Sequence, residues 1–175
     1  MVPLILHRRW LILSLLALVA CGSEPESLSG DRAAMAGRLQ VVATTGMIAD
    51  LASEVGGDRV AVIGLMGPGV DPHYYKATQG DLRRLTEADL IFYNGLFLEG
   101  KMQDIFTKMS RSKTVVAVSD SLDKTSLRRP PEFKGHFDPH IWFDVGLWGQ
   151  TIDLVEATLS ADEPAHADSF AARAS

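Results

Sequence analysis

Cysteine is almost absent. Cys21 is the only one in 175 residues, so no internal disulfide can staple the chain. A cationic excess is missing as well. Seventeen lysines and arginines stand against 22 acidic residues, and no Lys/Arg cluster gives the electrostatic footprint of a nucleic-acid binder. No internal repeat or low-complexity tract occurs beyond one repeated tripeptide, and there is no HExxH. The apolar run from Trp10 to Ala20 is too short to span a bilayer comfortably. Histidine is scarce, five in all. What is present is an ordinary apolar content, 46%, in a chain long enough for one domain with a real core.

The short apolar run follows Arg8 and Arg9 and precedes a small residue and Cys21, which is the order of a signal peptide. Leu18-Val19-Ala20-Cys21 resembles a bacterial lipobox, in which cleavage frees the cysteine and its thiol carries a diacylglycerol. We expect a lipoprotein signal peptide over residues 1–20 and lipid attachment at Cys21. The Ser-, Gly-, Glu- and Ala-rich stretch 21–38 has tether composition. The expected location is exported and lipid-anchored to a bacterial membrane, in the periplasm or on the outer cell surface.

From Leu39 onward strands and helices alternate. LQVVATT (39–45), RVAVIGL (59–65), DLIFYNG (89–95) and TVVAVS (114–119) read as strands, the third almost continuously apolar, as in a sheet covered on both faces. Thr45 is placed to cap a helix carrying Met47/Ile48, Leu51/Ala52 and Val55, which Gly56-Gly57 ends. Residues 78–88 form a second helix with Leu82, Leu85 and Ala88 on one face. Residues 98–109 form a third, through Leu98, Met102, Ile105/Phe106 and Met109. Trp148, Ile152, Val155 and Leu159 make a core stripe on a fourth. Asp162 is the expected N-cap of a last helix, with Pro164 in its first turn and nothing to pack against. The fold class is therefore α/β, a four-stranded parallel sheet flanked by helices.

The repeated tripeptide is Asp-Pro-His, in GVDPHYY (69–75) and GHFDPHIWFD (135–144). Each proline fixes its own φ and pushes the preceding aspartate toward extended conformations, so each histidine leaves a stiff bend. His73 follows the second strand and His140 the fourth, so both bends can converge where ligands bind, beyond the carboxyl ends of a parallel sheet. Neutral imidazole suits zinc, manganese, iron and nickel. Two histidines alone do not complete a site, since zinc takes three or four protein ligands. Asp71 and Asp138 suit turn-capping or supporting roles better than direct ligation. His136 is a weaker metal candidate, a loop residue two positions before Asp138; His7 and His166 are poor ones.

From Leu39 on, GVDPHYYKATQGDLRRLTEADLIFYNGLFLE followed by FDPHIWFDVGLW resembles the first lobe of the metal-specific, TroA-like solute-binding lipoproteins of bacterial ABC importers. The resemblance assigns metal ligation to His73 and His140 and implies a transported divalent metal, manganese or zinc and also iron. The one-histidine loop before His140 leans toward manganese. It also implies an ABC permease with its ATPase as partners, a membrane tether, and a monomer. By that likeness residues 39–161 are the N-terminal metal-binding lobe and 162–175 the start of an inter-lobe helix, with the C-terminal lobe and its two further ligands absent. Such a half-site is expected to bind metal weakly. Two other classes stay open: a zinc-dependent hydrolase, against which stands the lack of a third ligand or adjacent base, and a surface lipoprotein with an adhesive or structural role.

Overall fold

The computed structural model describes residues 37–175. The expectations for Cys21, for the signal peptide and for all but the end of the tether lie outside that range. Four strands, β1 (Leu39–Ala43), β2 (Val60–Gly64), β3 (Leu90–Tyr93) and β4 (Thr114–Ala117), form one parallel sheet in the order β2-β1-β3-β4. This is the predicted sheet. The five α-helices of the described residues are α1 (Gly46–Gly56), α2 (Gln79–Glu87), α3 (Gln103–Met109), α4 (Val145–Asp162) and α5 (Ala167–Ala174).

Side chains alternate between the sheet's two faces, as the twofold strand period requires. Val41, Ala43, Leu90 and Phe92 pack with Ile48, Leu51 and Val55 of α1, Val155 and Leu159 of α4, and Phe170 of α5. Val42 and Ile91 point the other way, onto Leu85, Ala88, Met102 and Phe106. Both faces of the sheet are thus covered, which explains why β3 is apolar throughout.

Five details depart from the sequence reading. Residues 98–109 are not one helix: a 3-10 turn at Gly100–Met102 precedes α3, and Leu96 and Phe97 before it have φ of 52° and 66°. Leu82, expected on the inner face of α2, is 38% exposed, because the capping box turns Asp81 inward instead. Asp162 ends α4, and the N-cap of α5 is His166 after a 3-10 turn at Pro164–His166. That last helix does have partners: α5 packs on α1 and α4, with Phe170 fully buried. Thr45 does occupy the N-cap of α1, yet its hydroxyl is buried without a hydrogen-bond partner.

β1 leads to β2 on one side and lies against β3 on the other, so the chain direction splits between β1 and β3. Connections leaving such a switch point diverge and open a crevice beyond the strand ends. Thr44 and Asn94 sit at the bottom of that crevice. The loops after β2 and β4 leave the sheet at the same edge.

Candidate metal centre

The two Asp-Pro-His bends meet there. Nε2 of His73 lies 3.2 Å from Nε2 of His140, with the rings tilted at 58°. Both bends are Asx turns built by the tripeptide itself. The Asp71 carboxylate accepts the backbone N–H of His73 at 2.9 Å, and that of Asp138 accepts the N–H of His140 at 3.0 Å. Here the sequence and the structure agree.

The bends are otherwise unequal. Asp138 Oδ1 also lies 2.7 Å from Nδ1 of His140. Burial pushes the Asp138 carboxyl up, but the backbone and ring N–H groups of His140 and the charge of Arg128 outweigh that and hold it below the usual range. An ionised carboxylate only accepts, so the His140 ring donates from Nδ1. The Nε2 edge of the ring is left facing His73.

The arm carrying His140 is braced along its length. Asp138 N–H donates to the Arg128 carbonyl at 2.9 Å, and the Arg129 guanidinium lies 4.0 Å above the Phe137 ring. Trp142, edge-on at 5.3 Å, and Phe133, at 6.0 Å, flank the imidazole. The arm carrying His73 is fastened farther on, where Tyr75 donates its hydroxyl to Asp81 at 2.7 Å. Burial first, then that hydrogen bond, push the Tyr75 phenol up to about 12.

His136 does not join the pair. Its ring packs against Phe97 at 4.9 Å, and among the described residues no group of three or more His, Cys, Asp or Glu side chains converges. A cleft of about 540 Å³ borders His140, Asp138 and the start of α4 but not His73. It touches one imidazole only, so the shared Nε2 edge marks the candidate site better than the cleft. Reading the sequence alone missed Asn94 and Glu99, which lie buried behind the His140 bend. The only signal for them was Asn-Gly directly after an apolar strand.

A doubly covered parallel sheet with two imidazoles presented beyond its carboxyl edge defines an α/β lobe of the kind that offers its carboxyl edge to ligands. Residues 41–175 match the family model ZnuA, zinc-uptake complex component A, periplasmic, and the chain belongs to that family. It is 47% identical over 154 residues to the manganese-binding lipoprotein MntA of Bacillus subtilis, covering 88% of this chain and 48% of that one. It is 37% identical over 139 residues to the iron ABC transporter substrate-binding lipoprotein MtsA of Streptococcus pyogenes, covering 76% and 43%. Its fold superposes on the periplasmic zinc-binding protein TroA of Treponema pallidum with a TM-score of 0.75 and 45% identity, over 79% of this chain and 49% of that one. The chain spans about half the length of the curated relatives it matches.

Proposed function

We propose that the chain captures a divalent transition metal as cargo for an ABC importer, with Nε2 of His73 and Nε2 of His140 as ligands. One observation carries this reading. Two nitrogens bound about 2.0–2.1 Å from a tetrahedral zinc ion stand about 3.3 Å apart. The two Nε2 atoms are already 3.2 Å apart, so an ion can seat between them with little movement of either bend. Asp138 supports the His140 ring from behind, as carboxylates commonly do for metal-bound imidazoles.

Zinc takes three or four protein ligands, so the pair supplies part of a shell. Manganese, zinc and iron are all within reach of such donors, in keeping with the metals in the relatives' names. Residues 1–20 serve as the lipoprotein signal peptide, Cys21 carries the lipid, and 21–38 tether the lobe of residues 39–161 to a bacterial membrane. Residues 162–175, the end of α4, the turn after it and the helix α5, lead on toward a second lobe. The importer's permease and ATPase are the partners. Membership in a metal-uptake family favours cargo capture over the hydrolase and adhesion readings.

The test is equilibrium titration of the full natural polypeptide with Zn(II) and with Mn(II), read by competition with a chromophoric chelator. His73→Ala and His140→Ala each lower affinity at least about tenfold, the scale of losing one liganding contact. His136→Ala leaves it within a factor of about two. Unchanged affinity in both of the first two variants sinks the reading.

A further inference from the structure

Behind the His140 bend lies a carboxylate that the imidazole pair does not touch. Glu99 is 1% exposed. Its Oε1 accepts the Asn94 N–H at 2.7 Å and the Thr44 hydroxyl at 2.7 Å, and its Oε2 accepts the Gly95 N–H at 3.3 Å. One side chain thereby joins the ends of β1 and β3 at the floor of the crevice. Burying a carboxylate is costly, and burial indeed pushes the Glu99 carboxyl up. So costly a group in the floor of the crevice calls for a role there.

The segment it holds is strained. Gly95, Leu96 and Phe97 follow one another at φ of 83°, 52° and 66°, and positive φ is costly for the two residues that are not glycine. Gly95 has no alternative, because a Cβ there would stand 2.4 Å from the Ser119 hydroxyl. The consequence of this geometry is the placement of Asn94. Its carbonyl accepts the Ser119 N–H at 3.2 Å, tying in the end of β4. Its side-chain amide, 1% exposed with the whole residue, donates to the Gly95 carbonyl at 3.1 Å and to the Pro139 carbonyl at 3.0 Å. Two carbonyl partners demand the NH2 end, so the amide has one orientation.

The Pro139 carbonyl also accepts the Ile141 N–H at 2.9 Å. The peptide plane entering His140 is therefore fixed on its oxygen side by Asn94 and Ile141, and on its N–H side by Asp138. Among the described residues nothing equivalent grips the first bend, where Asp71 is exposed. We propose that Asn94, set in place by Glu99, is a positioning residue that anchors His140 as the fixed arm of the pair and leaves His73 as the adjustable one. This inference rests on the metal-capture reading above.

The experiment is a double-mutant comparison on the full natural polypeptide, titrated with Zn(II) alone. Asn94→Ala removes the amide, and Asn94→Asp sets a carboxylate against two carbonyls. Each is expected to weaken binding by roughly 10- to 100-fold, the range for groups that orient a metal ligand. The loss persists in the His73→Ala background and disappears in the His140→Ala background, because the anchor has nothing left to place. Equal losses in both backgrounds overturn the proposal, since that is what general damage to the lobe produces. No loss from either Asn94 variant, with His140→Ala still weakening binding, overturns the proposal and spares the metal reading. An inert His140→Ala overturns both. Should neither Asn94 variant fold, ring nitrogen NMR of the unmodified, metal-free chain decides. Ring nitrogen relaxation showing an ordered His140 beside a more mobile His73 supports the anchor, and two equally ordered rings overturn it.

Discussion

The carboxylate of Asp138 reaches both the backbone N–H and the ring Nδ1 of His140, at 3.0 and 2.7 Å, whereas among the described residues Asp71 reaches only the backbone N–H of His73. Truncating either aspartate removes one Asx turn, but only Asp138→Ala also frees an imidazole. Asp138→Ala is therefore expected to lower Zn(II) affinity by roughly 10- to 100-fold and Asp71→Ala by clearly less. Equal losses in a side-by-side titration would mean that turn formation is the whole contribution of both. The two bends were legible in the sequence because proline and aspartate act on their own neighbours. The difference between them was not, because it depends on which way a ring turns within a loop fixed by Arg128, Arg129 and Asn94 from elsewhere in the chain.

Among the elements, α2 shows how a local motif secures a distant site. Thr78 caps it and accepts the Asp81 N–H, while Asp81 returns bonds to the Thr78 N–H and hydroxyl and takes the Tyr75 hydroxyl two residues beyond His73. At the other end the Lys113 ammonium covers the carbonyls of Leu85, Thr86 and Ala88. Burial alone would raise the Asp81 carboxyl, but its bonds to Thr78, Tyr75 and Arg84 outweigh that and hold it below its usual value of 3.8. A carboxyl depressed in the folded state contributes stability that is fully present above the unfolded value and is lost as pH falls through the folded one. Asp81→Asn should therefore lower Tm at neutral pH and flatten the decline of Tm below about pH 4, as read by calorimetry from pH 2 to 7. A variant whose acid limb runs parallel to the unmodified chain would count against this. Thr78→Ala should cost about 0.5–2 kcal/mol by the lost cap. This helix was readable, since its cap lies within its own sequence. The segment 98–109 was misread because Glu99 is drawn into the crevice by Thr44 and Asn94, partners that helical spacing does not reveal.

For the whole molecule, the doubly wound sheet followed from alternating strand and helix patterns, whereas the packing of α5 depends on contacts far apart in the chain. Phe170 is fully buried with Leu51 and Val55 of α1 and Val155 and Leu159 of α4. The Arg173 guanidinium reaches the Glu54 carbonyl at the end of α1, and its ion pair with the Glu54 carboxylate at 3.8 Å is exposed and adds little. Burial of Phe170, then, is the main tie. If α5 were an appendage leaving the lobe, Phe170→Ala would shift stability by no more than about 0.5 kcal/mol, as for surface positions. If it closes the α1–α4 face, the substitution leaves a cavity and costs about 3–5 kcal/mol, comparable with Phe92→Ala in the sheet itself. Urea unfolding of the two variants side by side discriminates, and the geometry predicts the second result. The same data should show an unchanged slope with urea for Phe170→Ala, because a helix that unfolds with the sheet belongs to one cooperative unit. A reduced slope, or a first transition confined to α5, would assign that helix to a separately melting segment.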